Sequence, residues 1–403
     1  MPNPEVVTNF KDSDGVDLGK KLISKDYLIS VYPQIANQLI TPELWTWGRN
    51  AFGHLGTNDT ISRATPVTTL AGGSNWKQVD CGYQQTAAIK TDGTLWTWSY
   101  NANLQLGTND STQRLTPVQV FGNHTNWKQV SAGIYITAAI KTDGTLWTWG
   151  RNNEGGLGTN DTTDRATPVT TFAGGTNWKQ ISVGVINVAA IKTDGTLWTW
   201  GNNDNTNLGI NDTTNRNTPV TTFAGGTNWK QVSNGDSSCT AIKTDGTLWT
   251  WGLDSAGELG TNDTNNRSTP VTTFAGGTNW KSLHFFYRHC AAIKTDGTLW
   301  TWGSNGEGQL GTNDTTNRAT PVTTFAGGTN WKQVSNGVHT AAIKTDGTLW
   351  TWGRNNEGQL GINASGNRNT PVTTFAGGTN WKQVGCGIDH TAAIKTSDDL
   401  IGI

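Results

Sequence analysis

A seven-bladed, all-β propeller of four-stranded blades is the fold that this 403-residue sequence predicts, and three observations predict it. The string LWTW occurs seven times, beginning at Leu44, Leu95, Leu146, Leu197, Leu248, Leu299 and Leu349. The step is 51 residues except the last, which is 50 because the SNGVHTAAIK beginning at Ser335 is one residue short. Each unit carries four short strand-like runs, and no unit shows the 3.6-residue apolar period of a helical repeat.

The four runs read in order as WKQVS, TAAIK, LWTWG and PVTTF. The two tryptophans of LWTW lie two apart and so share one face of a strand. Between TAAIK and LWTW stands TDGT, whose Asp-Gly suits a tight hairpin turn with positive φ. The proline of the fourth run (Pro66, Pro117, Pro168, Pro219, Pro270, Pro321, Pro371) suits the start of an outer edge strand, where no ladder donor is missed. A Trp-Lys pair opens each first run, at Trp76, Trp127, Trp178, Trp229, Trp280, Trp331 and Trp381. With the LWTW pairs these account for all 21 tryptophans, so every one belongs to the framework. Burying an indole removes roughly 200 Å² from water, which lets three per unit replace an aliphatic core.

The ends predict closure of the ring. The repeat begins with LWTWG at Leu44 and PVTTL, and it ends with WKQVGCG and TAAIK. Six blades are therefore continuous. The seventh takes two inner strands from the C-terminus and two outer strands from the N-terminus, which removes the open sheet edges. The domain division is residues 1–43, a short non-repeat segment, and 44–403, the propeller.

Composition narrows the function classes. A formal net charge of −1 argues against nucleic acid as partner. No apolar run approaches a membrane span, and the start MPNPEVVTNFKDSDG lacks a secretory signal pattern. The expectation is a protein made in the cytoplasm, with no membrane insertion and no cofactor. Four cysteines are too few for a disulfide scaffold. Cys81 and Cys386 are equivalent positions in neighbouring blades, as are Cys239 and Cys290, and they are expected as free thiols lining the channel.

Units of this length with a Gly-x-x-His-Thr segment (Gly387 to Thr391), DGTLWTWG (Asp346 to Gly353) and GQLG (Gly358 to Gly361) resemble regulator of chromosome condensation repeats. The resemblance covers residues 44–396. It implies a seven-bladed propeller and a family that includes nucleotide-exchange factors, scaffolds and binding modules.

The seven units differ in two segments only, one between WKQV and AIK and one after LWTW. In an up-and-down blade both connections emerge on one face, while the near-constant TDGT and FAGGTN turns emerge on the other. Binding specificity is expected on the variable face. The fifth blade departs furthest: Phe286 stands where the other units have glycine, within Leu283-His284-Phe285-Phe286-Tyr287-Arg288-His289. The candidate ligand-binding residues are Phe285, Phe286, Tyr287, Arg288 and His289, with Tyr83, Tyr100, Tyr135, Asp236 and Asp389 on the same face. The alternative for some of the rings is that they fill the channel mouth.

Several constellations are declined. His289, His339 and His390 are equivalent in successive blades, but a structural role outweighs a zinc site. One Arg per unit and an Asp in six units (Asp59 to Asp314, with Ala364 in the seventh) read as a repeated structural salt bridge. No nucleophile–base set or phosphate loop stands apart from the repeat, so no catalytic residue is assigned. In residues 1–43 the cluster Tyr27, Leu28, Val31, Tyr32 and Ile35 reads as an anchor that docks on another protein. This lead, followed by near-identical repeats with differing loops, gives a general likeness to virion appendage proteins of tailed bacteriophages. The expected function is accordingly a non-enzymatic virion appendage (tail or neck fibre, an adhesin), oligomeric when assembled. Its N-terminus would bind other virion structural proteins, and its variable face a host-surface protein or glycan. The alternative is a cytoplasmic protein-interaction module or a scaffold resembling small-GTPase exchange factors.

Overall fold

The structure, a computed structural model, describes residues 42–70 and 73–396. The anchor residues Tyr27, Leu28, Val31, Tyr32 and Ile35 lie outside the described residues, as does the tail from Ser397. Strand β1 spans Pro42–Gly48 and β2 Arg63–Thr68. Blade 1 follows as β3 (Trp76–Cys81), β4 (Gln85–Lys90), β5 (Leu95–Ser99) and β6 (Arg114–Gln119). The pattern repeats through blade 6, and the chain returns in β27 (Trp381–Cys386) and β28 (His390–Thr396). Seven four-stranded antiparallel sheets result, six continuous and one ordered β2-β1-β28-β27. Leu44 pairs with Ile394 and Trp47 with Thr391, so the seventh blade is shared by both ends as expected. The sheet takes in Pro42 and Glu43, two residues ahead of the first LWTW.

Two local details differ from expectation. The proline lies inside the outer strand, not at its start: Pro66 is the fourth residue of β2, beside a register shift between Thr46 and Gly48 of β1. An edge strand tolerates this because its outward N–H groups have no ladder partner. In TDGT only the glycine takes positive φ (Gly93, +80°), and Gly93 N–H donates to Lys90 C=O. That is a type I turn closed by a left-handed glycine.

The core lies between blades. The tryptophan of each Trp-Lys pair meets both LWTW indoles of its own blade edge-on or steeply tilted, as Trp178 meets Trp198 and Trp200 edge-on at centroid distances of 6.2 Å. These rings pack against aliphatics of the preceding blade, so Ile140 and Leu146 share a cluster with Trp178 and Trp200. Each second LWTW indole then donates its Nε1–H across the joint to a main-chain carbonyl. Trp200 bonds Gly156 at 3.0 Å and Trp98 bonds His54 at 2.8 Å. Trp47 closes the ring on Gln359 at 2.8 Å. Along the channel, a glutamine amide bridges successive inner strands: Gln78 donates to Val130 C=O and accepts from Val130 N–H. Blade 5 has Ser282 there, and its joint to blade 6 is bridged by Asn336 Nδ2, which donates to His284 C=O at 2.9 Å.

All four cysteines are free, but they do not line the channel. Cys81, Cys239, Cys290 and Cys386 lie in the apolar clusters between blades. Burial pushes the Cys386 thiol up to about 12, so these are inert core residues. The repeated Arg and Asp form ion pairs four residues apart, as in Arg165–Asp161 at 2.6 Å. In blade 6, where Ala364 replaces the Asp, Arg368 donates to the carbonyls of Gly366 and Asn367. Half-exposed pairs of this kind add at most about 1 kcal/mol each, leaving the indole joints as the larger contribution.

Trp200→Phe keeps an aromatic ring but removes the donor to Gly156. We expect a loss of roughly 2–3 kcal/mol, combining an unsatisfied buried carbonyl with lost packing, measured by urea denaturation. An unchanged midpoint would show that the indole bond carries no weight.

Candidate functional interface

The connections between first and second strands, and between third and fourth, lie on one face, as the alternating repeats require. Six inner strands are followed directly by a glycine that faces the next blade. A Cβ on Gly82 would stand 2.1 Å from Gly133 C=O, and one on Gly337 would meet Gly387 C=O as closely. Only a glycine lets these backbones converge around the channel mouth.

Blade 5 replaces that glycine with Phe286, and the structure separates the residues of its segment. Strand β19 (Trp280–Phe286) joins β20 (His289–Lys294) through a two-residue turn, Tyr287-Arg288, with Phe286 opposite His289. Tyr287 takes the left-handed conformation at φ +57°, which a non-glycine residue adopts only at a cost. Phe285 is 1 % exposed and belongs to the core cluster of Trp280 and Trp302. Strand alternation puts it on the side of Leu283, which faces the same cluster. Phe286 packs with Val338, Ile388 and Tyr83 and closes the channel mouth. His289 is fully buried. The expectation that Phe285, Phe286 and His289 contact a ligand is therefore corrected: two rings are core and one is a plug. Tyr287 and Arg288 are exposed. Beside them, Asp236 N–H donates to Tyr287 C=O, and burial raises the Asp236 carboxyl despite the nearby Arg288 charge.

The histidines are joints as well. His289, His339 and His390 place Nε2 within 2.6–3.0 Å of Thr340, Thr391 and Thr86 of the next blade. Each threonine hydroxyl already donates to a main-chain carbonyl, of Gln309, Gln359 and His54. The hydroxyl can therefore only accept, which fixes the proton on Nε2. Burial holds all three rings near a pKa of about 3, and thus neutral.

A second cluster spans blades 6, 7 and 1. Asp389, 8 % exposed, pairs with Arg49 at 3.3 Å and Arg354 at 3.7 Å. Arg49 lies over Phe52, whose ring stands 5.1 Å from Tyr100. Two guanidiniums thus share one carboxylate and leave a positive charge beside a half-buried aromatic pair. Asp389 and Tyr100 were expected here. Arg49, Phe52 and Arg354 were missed, although RN-x-x-G in three of the seven second segments marks the arginine. Tyr135 is half-buried under Arg151, 5.0 Å from ring centroid to guanidinium carbon, while Tyr83 supports the plug.

Blade 4 carries one titratable anomaly. In the other blades an asparagine holds the second variable segment, as Asn203 does by donating to Asp212 C=O at 2.7 Å and Asp212 Oδ1 at 3.3 Å. Blade 4 has Asp254, buried, which has no amide donor. Burial, then the neighbouring Glu258, raises its carboxyl from 3.8 to about 7. Its bond from Leu259 N–H is long at 3.4 Å, and Thr250 Oγ1 lacks the segment-bracing bond that Thr199 makes to Leu208.

Among the described residues no group of histidine, cysteine or carboxylate side chains has metal-site geometry. No described helix is long and apolar enough to cross a membrane.

The family model described as RCC1-like domain matches residues 39–286, and that for the regulator of chromosome condensation (RCC1) repeat matches 296–343 and 346–394. The ultraviolet-B receptor UVR8 of Arabidopsis thaliana is 32% identical over 284 residues, which are 69% of this chain and 64% of that protein. The chain thus spans less than two thirds of that relative. A chain in the crystal structure of Kap60 bound to yeast RCC1 (Prp20) matches with a TM-score of 0.79 at 18% identity, covering 90% of this chain and 91% of that one. Prp20p of Saccharomyces cerevisiae, solved in work on its binding to Gsp1p and histones, matches at 0.78 and 19%, over 90% and 93% of the two chains. At these identities the structural likeness establishes the fold.

Because the raised Asp254 pKa favours its protonated form, its contribution to stability is complete below about pH 4 and lost as pH rises through about 7. Asp254→Asn restores a donor at every pH. We expect the variant to melt like the parent at low pH and to gain about 1–3 kcal/mol above pH 8, read from paired melts. A pH-independent difference would contradict the assignment.

Proposed function

The chain belongs to the regulator of chromosome condensation (RCC1) repeat family, and we propose that it is a non-enzymatic protein-binding module that grips a folded partner through the variable face of the propeller. The observation that carries this reading is the grouping of Arg and aromatic side chains at the rim of that face. Arg49, Arg354, Phe52 and Tyr100 surround Asp389, and Tyr287-Arg288 projects from the tightest hairpin. Tyrosine and arginine dominate interface energetics because each combines a large contact area with hydrogen-bonding capacity. The surplus guanidinium favours a partner that presents carboxylates. A rigid, closed ring holds these groups without ordering cost on binding.

Protein binding by yeast RCC1, which is solved with Kap60, supports this interaction-module reading over the virion appendage, for which the relatives offer no support. A scaffold acting on a small GTPase, in the manner of exchange factors, is a narrower form of the same proposal. For the segment 1–43, of which Pro42 and Glu43 belong to β1, we propose that the part ahead of Pro42 docks on a second protein, tested by whether a chain starting at Pro42 still binds that protein.

The double variant Tyr287→Ala, Arg288→Ala tests the face. Both side chains are exposed, so the melting temperature should move little. Affinity for a captured partner should fall by about 2 kcal/mol or more, roughly thirtyfold, in surface plasmon resonance. Undiminished affinity would remove this hairpin from the interface.

A further inference from the structure

We propose that the opposite face, built from the near-constant turns, docks on an anionic lipid bilayer without spanning it. The first observation is a row of exposed apolar side chains, one per blade. Phe172, Phe223, Phe274, Phe325 and Phe375 are 64–65% exposed, Phe121 52% and Leu70 66%. Each stands where the outer strand has ended and the chain crosses to the next blade, which places it at the outer edge of that face. Large apolar side chains left in water at every equivalent position add nothing to the core, and such a set marks an interaction surface.

The second observation is charge. Strand polarity puts the lysine of each Trp-Lys pair, Lys77 through Lys382, and the last lysine of each TAAIK-like strand, Lys90 through Lys395, on this same face. All fourteen lysines of the described residues lie here, against seven carboxylates, whereas all eleven arginines lie toward the variable face. The Trp-Lys lysines are exposed. The others stack on half-buried indoles, as Lys192 Nζ does 4.3 Å from Trp198. A net charge of −1 for the chain thus conceals a strongly cationic face.

The repeat selects the partner. Blade 1 has the most altered turn, FGNHTN in place of FAGGTN, yet it keeps Phe121 and Lys128; TTLAGGSN keeps an apolar Leu70 and Lys77. Seven equivalent sites with the same chemistry give a partner no preferred orientation about the ring axis. A bilayer is uniform in its plane and meets all seven at once, with anionic headgroups for lysine and an acyl boundary for phenylalanine. Tryptophan and lysine side chains are also at home at that depth. Duplex nucleic acid supplies the charge but no apolar layer for the phenylalanines.

Vesicle co-sedimentation of the full chain tests this, with phosphatidylcholine alone and with phosphatidylserine added. We expect binding only to the anionic vesicles, weakened by salt. It should fall at least about tenfold in the variant Phe172→Ser, Phe223→Ser, Phe274→Ser, Phe325→Ser. The variant Lys179→Gln, Lys230→Gln, Lys281→Gln, Lys332→Gln should lose as much, and both should keep the parent's melting temperature. The proposal is overturned by equal binding to neutral vesicles, by no binding, or by binding that survives both variants. It is also overturned if the phenylalanine variant melts early or changes oligomeric state, which would mean that the row is covered by the chain itself or a second copy. Tighter binding to an oligonucleotide than to vesicles would overturn it too. The hairpin variant Tyr287→Ala, Arg288→Ala should leave vesicle binding intact, separating this face from the protein-binding one.

Discussion

The structure depends on one hydrogen bond repeated seven times: an indole Nε1–H of one blade held by a main-chain carbonyl of the blade before it. The acceptors belong to His54, Gln105, Gly156, Asn207, Glu258, Gln309 and Gln359. Because the acceptor is backbone, the side chain at that position is free to differ, and it does. The residue after each acceptor is leucine, fully buried in every blade. A framework that asks only for a carbonyl and one apolar side chain lets loops diverge without loosening the ring. Constant joints and variable loops are two consequences of the same contact.

From this arrangement the faces acquire different chemistry. The variable face combines arginine with aromatics in two local clusters, each made by particular residues of two or three blades. The opposite face is the same in every direction, lysine within and phenylalanine at the edge. One is suited to a partner of definite shape and the other to a partner without one. A rigid ring carrying both would hold a protein bound on one face at a fixed attitude to the surface met by the other.

Much of this was readable from the sequence because the repeat supplies its own comparison. Seven copies of LWTW gave the blade number, and the truncated first and last units gave the shared blade. The Arg–Asp pairs followed from their recurrence. What escaped depended on side-chain direction. Phe285 and Phe286 look alike in sequence, but strand alternation sends one into the joint, and the missing glycine sends the other over the channel. The three histidines read as structural from their recurrence, but their partners, the threonines of the following blades, show only in the fold, and they withdraw His289 from the ligand-binding set. The phenylalanine row stood in plain view at the start of FAGGTN, yet a constant turn read as structural, and only exposure in the fold shows that the core does not use it. Asp254 was equally visible as the one acid among six asparagines, and its meaning came from the carboxylate and carbonyl that those amides bind.

Closure is what makes seven equal joints a single cooperative unit. The most direct measurement is the thermal unfolding of a chain ending at Ile388, which lacks β28 and with it the strand that pairs β1 to β27. The account predicts that the single transition of the parent is replaced by a lower and broader one, with self-association through the exposed edge of β1. A truncated chain that melts like the parent and stays monomeric would contradict it.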